Sequence, residues 1–139
     1  MTTYMKPLPR PTMESEPFWR GTRNHELRIQ RCRVCGKHIF YPRSLCPECS
    51  TTDLEWVQVS GKGTVYSYTI IRRAAFPSFA ADVPYVFAIV ELEEGPRMAT
   101  NLVGCPPERA RIGLPVEATF EDVAPEVTLV KFRPSSMEG

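Results

Sequence analysis

The 139-residue sequence has no long apolar segment and only two histidines. A membrane-spanning helix needs about 20 consecutive apolar residues, and no stretch approaches that length. Residues 1–10 also lack the apolar centre of a signal peptide, which favours a cytoplasmic protein that does not use a membrane. The sequence shows no Gly-rich phosphate loop, no Ser/His/Asp order and no paired-carboxylate signature. These absences favour a protein without catalytic residues of its own.

Positive charge is also scarce, since the formal net charge is only +1. Residues 1–61 carry nine Lys/Arg and six Asp/Glu, whereas residues 62–139 carry eight and ten. Phosphate contacts need a basic face, and the second half of the chain is acidic. The charge distribution therefore disfavours a nucleic-acid partner.

Proline is abundant, with fourteen in the chain, and eight glycines add further breaks. Frequent breaks predict short elements and a mostly β fold rather than long helices. We divide the chain into an N-terminal arm with a short helix (1–25), a cysteine-rich segment (26–60) and a β-barrel (61–139).

Six segments have the composition or alternation of β-strands. Residues 54–60 precede a break at Gly61 and Gly63, and five further strands follow. Five strands with a longer connection at residues 106–113 predict a Greek-key barrel of the OB type, with an SH3-like barrel as the alternative. The five predicted strands are 64–72, 85–91, 97–102, 116–121 and 127–132.

A short helix is expected within residues 13–24, with Ser15 as its cap and Pro17 in its first turn. Phe18 and Trp19 follow in this segment. Adjacent helical residues point in different directions, so we expect one ring to pack on the body and the other to face a partner.

Four of the five cysteines form two Cys-x-x-Cys pairs, Cys32 with Cys35 and Cys46 with Cys49. This clustering predicts metal binding rather than disulfides, with each pair at the turn of a small β-hairpin. Four thiolates form the closed tetrahedral shell of structural zinc, which leaves no position for catalysis. Gly36 permits the positive φ that such a turn needs. A rubredoxin-like iron site uses the same ligands and remains an alternative.

The long connection at residues 72–84 carries two phenylalanines where a solvated loop would be polar. We interpret Phe76 and Phe79, with Arg72 and Arg73, as a surface for a partner or an acyl-CoA; the alternative is a loop folded over the barrel end.

Two other residues receive simpler interpretations. Cys105 has no base near it in sequence and is expected to be an inert, partly buried thiol. His38 follows the first cysteine pair, and an exposed side chain is a more common outcome than a role beside the metal.

With these features in place, the chain resembles the bacterial and archaeal zinc-ribbon/OB-fold proteins linked to acyl-CoA metabolism. The resemblance extends from about Phe18 to Phe120, and Ser50 stands where the second knuckle more usually has glycine. It is carried by Phe18-Trp19, Cys32-x-x-Cys35-Gly36, Pro42-Arg43, Cys46-Pro-x-Cys49, Gly61-x-Gly63-Thr-Val-Tyr-Ser, Pro84-Tyr85, Asn101-Leu-Val-Gly104 and Ile112-Gly113.

The resemblance implies a helical arm, a rubredoxin-like zinc ribbon that holds one zinc ion, and a C-terminal OB barrel. It also implies a role as an accessory subunit of a thiolase-like enzyme, an aldolase of steroid side-chain degradation or a MaoC-like hydratase. Acyl-CoA is a further expected partner. Two alternatives stay open: a stand-alone acyl-CoA carrier, and an OB module that binds single-stranded nucleic acid through aromatic residues such as Tyr66 and Phe87.

Overall fold

The computed structural model describes residues 12–13, 15–73, 83–125 and 127–135. Within them the chain forms a short helix, a three-stranded sheet and a closed five-stranded barrel. The elements are α1 (Glu16–Arg23), β1 (Arg28–Cys32), β2 (His38–Ile39), β3 (Leu54–Gln58), β4 (Lys62–Ile71), β5 (Tyr85–Leu92), β6 (Arg97–Leu102), a 3₁₀ turn (Pro107–Arg109), β7 (Pro115–Ala124) and β8 (Val127–Pro134).

The barrel has the strand order β4-β5-β6-β8-β7 and closes where β4 pairs with β7. All pairs are antiparallel except β6 with β8, which meet in parallel at Leu102 and Phe132. This connectivity confirms the OB-type barrel, and the five predicted strands lie within the observed ones or within one residue of them. The 3₁₀ turn lies in this longer connection, between β6 and β7.

Gly63 lies where β4 pairs with β5 on one side and with β7 on the other. A Cβ atom at this position would overlap the carbonyl oxygen of Glu91 on β5. The strand therefore needs glycine to approach both neighbours closely, which is a common reason for glycine inside a barrel strand.

The ribbon sheet has the order β2-β1-β3. The first cysteine pair lies at the turn of the β1–β2 hairpin, as predicted. The prediction of a second hairpin is wrong, because no strands flank the Cys46–Cys49 turn in the described residues. Instead β3 pairs with β1, and Leu54 lies opposite Cys32 in this register.

Helix α1 begins after Ser15 and has Pro17 in its first turn, as predicted. The Ser15 hydroxyl accepts a hydrogen bond from the Thr12 amide and does not cap the helix. The expectation that only one ring packs on the body is wrong: Phe18 and Trp19 are only 4% and 7% exposed. Both are buried because α1 lies against barrel strand β8 and ribbon strand β1 at once.

One hydrophobic core runs through the helix, the ribbon and the barrel. Phe18 and Ile29 belong to the same cluster as Val65, Val90 and Phe132 of the barrel. A second, small cluster surrounds the metal-site cysteines. In the part of the chain that the structure describes, no helix is long and apolar enough to cross a membrane.

Candidate metal centre and candidate partner surface

The four clustered cysteines converge on one point, with all Sγ atoms within 4.8 Å of one another. The Sγ atoms of Cys32 and Cys49 are 3.5 Å apart, and those of Cys35 and Cys46 are 3.7 Å apart. A tetrahedral centre with metal–sulfur bonds of about 2.3 Å requires sulfur–sulfur distances of about 3.8 Å. The side chains therefore already have the spacing that one zinc ion needs.

The two cysteine pairs have the same local backbone geometry. Gly36 N–H donates to the Cys32 carbonyl and Ser50 N–H donates to the Cys46 carbonyl, each at 2.9 Å. Gly36 and Ser50 both have positive φ, at 81° and 63°. This turn directs the two thiols of each pair toward the same point, so each pair supplies two ligands.

Backbone amides stabilise the thiolate form of two ligands. The N–H groups of Cys35 and Val34 each donate to the Cys32 sulfur at 3.3 Å, and they lower the pKa of that thiol to about 6. The pKa of Cys46 is also lowered, chiefly by the backbone amide of Cys49. Charge on these sulfurs is favourable before any metal binds.

The other two ligands resist ionisation. Backbone amides at Lys37 and Thr51 lower the pKa values of Cys35 and Cys49, but neighbouring sulfurs and burial outweigh them. The net result raises both pKa values, that of Cys49 to about 12. Four adjacent thiolates thus require a cation to offset their mutual repulsion, and a closed zinc shell supplies it.

Cys32 and Cys46 are buried, whereas Cys35 and Cys49 are exposed at the end of the ribbon. His38 is half-buried and does not belong to the cluster. Cys105 is partly buried, and burial raises the pKa of its thiol although Arg109 opposes this. A raised pKa disfavours a reactive thiolate and agrees with the interpretation of Cys105 as inert.

The structure separates the residues of the predicted partner surface. Arg72 and Arg73 are exposed just after β4. Phe76 and Phe79 lie outside the described residues. Phe18 and Trp19, one of which was expected to face a partner, are both core residues and contribute almost no exposed area. A surface for a partner or acyl-CoA at this loop stays a prediction that rests on the two arginines.

Sequence reasoning missed a cleft between the ribbon and the barrel, where Arg43 lies and where its guanidinium has no hydrogen-bond or ion-pair partner among the described residues. Residues from both parts line the cleft. Its only sequence signal was the Pro42-Arg43 pair among the features that carried the resemblance.

Two family models match adjacent parts of the chain. Residues 19–55 match the rubredoxin-like zinc ribbon domain of ChsH2, and residues 56–121 match its C-terminal OB-fold domain. The zinc-ribbon match, together with the four-cysteine geometry, agrees with one structural zinc ion and confirms the predicted cofactor.

The solved Ltp2-ChsH2(DUF35) aldolase contains a similar chain, with a TM-score of 0.81 and 38% identity, covering 91% of this chain and 98% of that one. A DUF35 domain-containing scaffold protein of Methanothermobacter thermautotrophicus is 40% identical over 115 residues, which are 81% of this chain and 86% of that protein.

Other relatives are named as subunits of acyl-CoA enzymes. A probable enoyl-CoA hydratase alpha subunit of Thermomonospora curvata is 40% identical over 129 residues, which are 91% of this chain but only 40% of the hydratase subunit. The benzoylsuccinyl-CoA thiolase subunit BbsA of Thauera aromatica is 33% identical over 82 residues, covering 58% of this chain and 54% of that subunit.

Proposed function

Because the chain belongs to the ChsH2/DUF35 family of zinc-ribbon and OB-fold proteins, we propose that it is a non-catalytic accessory subunit of a thiolase-superfamily enzyme. In this role it binds the enzyme in a hetero-oligomer and helps to assemble or gate the site that receives acyl-CoA. This role is supported by the names of three relatives, which are a chain of an aldolase complex, a thiolase subunit and a hydratase subunit.

The observation that carries the proposal is the closed four-cysteine cluster beside a continuous core. A tetrathiolate shell has no open position for a substrate, so its contribution is structural. The core shared by α1, the ribbon and the barrel packs these parts into one body, which favours a fixed arrangement of their surfaces. Rigid surfaces suit a subunit that positions a partner, since less conformational entropy is lost on binding.

The substrate context follows the same relatives. These relatives are named for CoA thioesters, and we propose that the partner enzyme acts on an acyl-CoA. Steroid side-chain degradation is one route, because a further relative is named as the alpha subunit of a 3-oxo-4,17-pregnadiene-20-carboxyl-CoA hydratase of Mycobacterium tuberculosis. The protein would then work in the cytoplasm, where soluble CoA thioesters are processed. The exposed Arg72 and Arg73 are available to a carboxylate of the partner or a phosphate of the substrate.

Affinity purification of the tagged chain from its native host tests the proposal. We expect a thiolase-like, aldolase or hydratase subunit to co-purify in fixed stoichiometry. The Cys32→Ser variant should lose both zinc and partner, because the ribbon no longer holds its shape. Cys105→Ser is the matched control, since it replaces a cysteine outside the cluster and should retain both.

Two results would contradict the proposal. Repeated purifications that recover none of these enzyme classes would argue against an accessory subunit. Tight binding of the isolated chain to acyl-CoA, with affinity that rises with acyl-chain length, would instead support a stand-alone carrier.

A further inference from the structure

A cleft of about 380 Å³ lies between the zinc ribbon and the turn that joins β5 to β6. Ribbon residues Lys37, His38, Phe40 and Arg43 form one wall, and Glu94 of the turn lies on the other. Its volume falls in the range of small-molecule sites, about 300–1,000 Å³. None of the four metal-site cysteines lines the cleft, although Gly36 and Pro47, which directly follow Cys35 and Cys46, do.

The backbone at Arg43 is held by a buried side chain. Gln30, which is 6% exposed, donates from Nε2 to the Arg43 carbonyl and accepts from the Arg43 amide at Oε1, both at 2.7 Å. Burying an amide side chain is unfavourable without such bonds, so this pairing fixes Arg43 firmly. In the described residues, the Arg43 guanidinium itself forms no hydrogen bond or ion pair.

The other charges of the cleft favour an anion. Lys37 pairs with Glu48 at 3.0 Å, but both side chains are exposed, so little free energy is lost if the amine turns to a ligand. Glu94 on the opposite wall is engaged elsewhere, because one carboxylate oxygen accepts from the Ser60 amide at 3.1 Å and the other is buried. The accessible charge on the ribbon wall is therefore positive.

We propose that this cleft binds the phosphate groups of a small phosphorylated ligand. The planar fork of Arg43 matches two phosphate oxygens at once, and Lys37 adds a second positive charge. Two cations suit a dianionic phosphate better than a single carboxylate. The concave shape suits a small molecule better than a flat protein or nucleic-acid surface.

This inference goes beyond the proposed function and does not depend on it, because the free chain contains the whole cleft. Isotope-labelled, zinc-loaded protein is titrated with inorganic pyrophosphate while backbone amide shifts are recorded. We expect saturable shifts at residues 36–43 and 94–96, weakened by added salt. Coenzyme A and dephospho-coenzyme A are titrated in separate arms.

The arms identify the source of the phosphate. Tighter binding of coenzyme A than of both pyrophosphate and dephospho-coenzyme A indicates a nucleotide cofactor recognised through its 3′-phosphate. Equal affinity for all three indicates that any diphosphate suffices. Both results support a phosphate site in the cleft.

Substitutions test the residues. Arg43→Ala should weaken pyrophosphate binding by about tenfold or more, since a charge-assisted hydrogen bond contributes about 1.5–3 kcal/mol. Lys37→Ala should weaken it by a smaller factor. Arg109→Ala is the control, because it removes an exposed arginine from the 3₁₀ turn outside the cleft.

Zinc content and melting temperature establish that each variant is folded. If Arg43→Ala proves unstable, Lys37→Ala and Arg43→Lys replace it in the test. Each of them must then bind pyrophosphate more weakly than the wild type. No saturable shifts in the cleft at millimolar pyrophosphate, or wild-type affinity in these variants, would overturn the inference. The affinity purification from the native host tests the accessory role independently, whatever the outcome of these titrations.

Discussion

Gly36 and Ser50 occupy equivalent positions in the two cysteine turns, each directly after the second cysteine, and both have a left-handed backbone. Glycine adopts this conformation without strain, whereas a residue with a Cβ atom loses about 1–2 kcal/mol. The second turn therefore contains a strained serine where the first contains a relaxed glycine.

Replacing Ser50 with glycine should stabilise the zinc-loaded protein. We expect the free energy of unfolding to rise by about 0.5–1 kcal/mol. The strain energy removed from the folded state exceeds the stabilisation that glycine's extra conformational entropy gives the unfolded chain. Chemical denaturation provides the measurement. Ser44→Gly is the matched control, since Ser44 is an exposed serine of the same ribbon whose φ is not positive, and it should be neutral or slightly destabilising.

Replacing Gly36 with alanine should reduce the free energy of unfolding by about 1–2 kcal/mol. A Cβ atom there would approach only the Arg31 guanidinium, at an ordinary distance of 3.5 Å. The loss would come from the backbone and not from a clash. Equal stability of Gly36→Ala and the wild type would show that the turn relaxes to another conformation.

Removal of the metal should unfold the ribbon. Structural zinc contributes about 10–16 kcal/mol to the folding of small zinc-finger peptides, and the cysteine-bearing end of the ribbon packs on a small core around Cys32, Ile39 and Cys46 that is separate from the main one. We expect one zinc per chain by elemental analysis and a large loss of melting temperature with a chelator. Cys46→Ser should reproduce this loss, and Cys105→Ser should not. A metal-free protein that melts normally would exclude a structural role for the site.

Gly63→Ala should destabilise the barrel by about 1–3 kcal/mol, the usual range for an overpacked core. The added methyl group would meet backbone at Glu91, which cannot rotate away as a side chain can. Thr64→Ala on the same strand is the control, because Thr64 is exposed and should change stability by less than about 0.5 kcal/mol. Similar effects of the two substitutions would mean that β4 and β5 can separate freely.

Asp122 should make stability depend on pH. Thr128 Oγ1 donates to its carboxylate at 2.6 Å and His25 Nε2 lies at 3.1 Å, and these contacts hold the pKa of Asp122 below its usual value. This contribution is fully present above the unfolded pKa, about 3.9, and is lost as pH falls through the lower folded pKa.

The free energy of unfolding against pH, compared between wild type and Asp122→Asn, measures that contribution. The variant should show a shallower decline below about pH 4, and Thr128→Val should give an intermediate curve. Acid also protonates the zinc ligands in every variant, so the difference between curves is the relevant quantity. Parallel curves would show that the carboxylate is not stabilised in the folded state.

The barrel and the metal ligands were predictable from local sequence. Strand β7 alternates apolar and polar residues between Val116 and Glu121, and this period of two is sufficient to locate a strand. The Cys-x-x-Cys spacing likewise constrains both ligands of a pair within one turn. Each of these signals depends on residues close together in the chain, so no tertiary information was needed.

The errors came from contacts between distant segments. Burial of both Phe18 and Trp19 depends on two separate strands covering α1, which helical periodicity cannot reveal. Pairing of β3 with β1 replaced the predicted second hairpin for the same reason. The Arg43 cleft depends on a hydrogen-bonded Gln30 that lies 13 residues away and has no motif of its own.

The shared core has a consequence for how such chains are recombined. Phe18 on the helix, Ile29 in the ribbon and Phe132 in the last strand belong to one buried cluster, so a cut after residue 60 would expose apolar surface on both pieces. Helix, ribbon and barrel therefore have to stay together when this module is moved into another protein. A fusion protein that contains this module should include all three parts, with the linker placed before α1 or after β8.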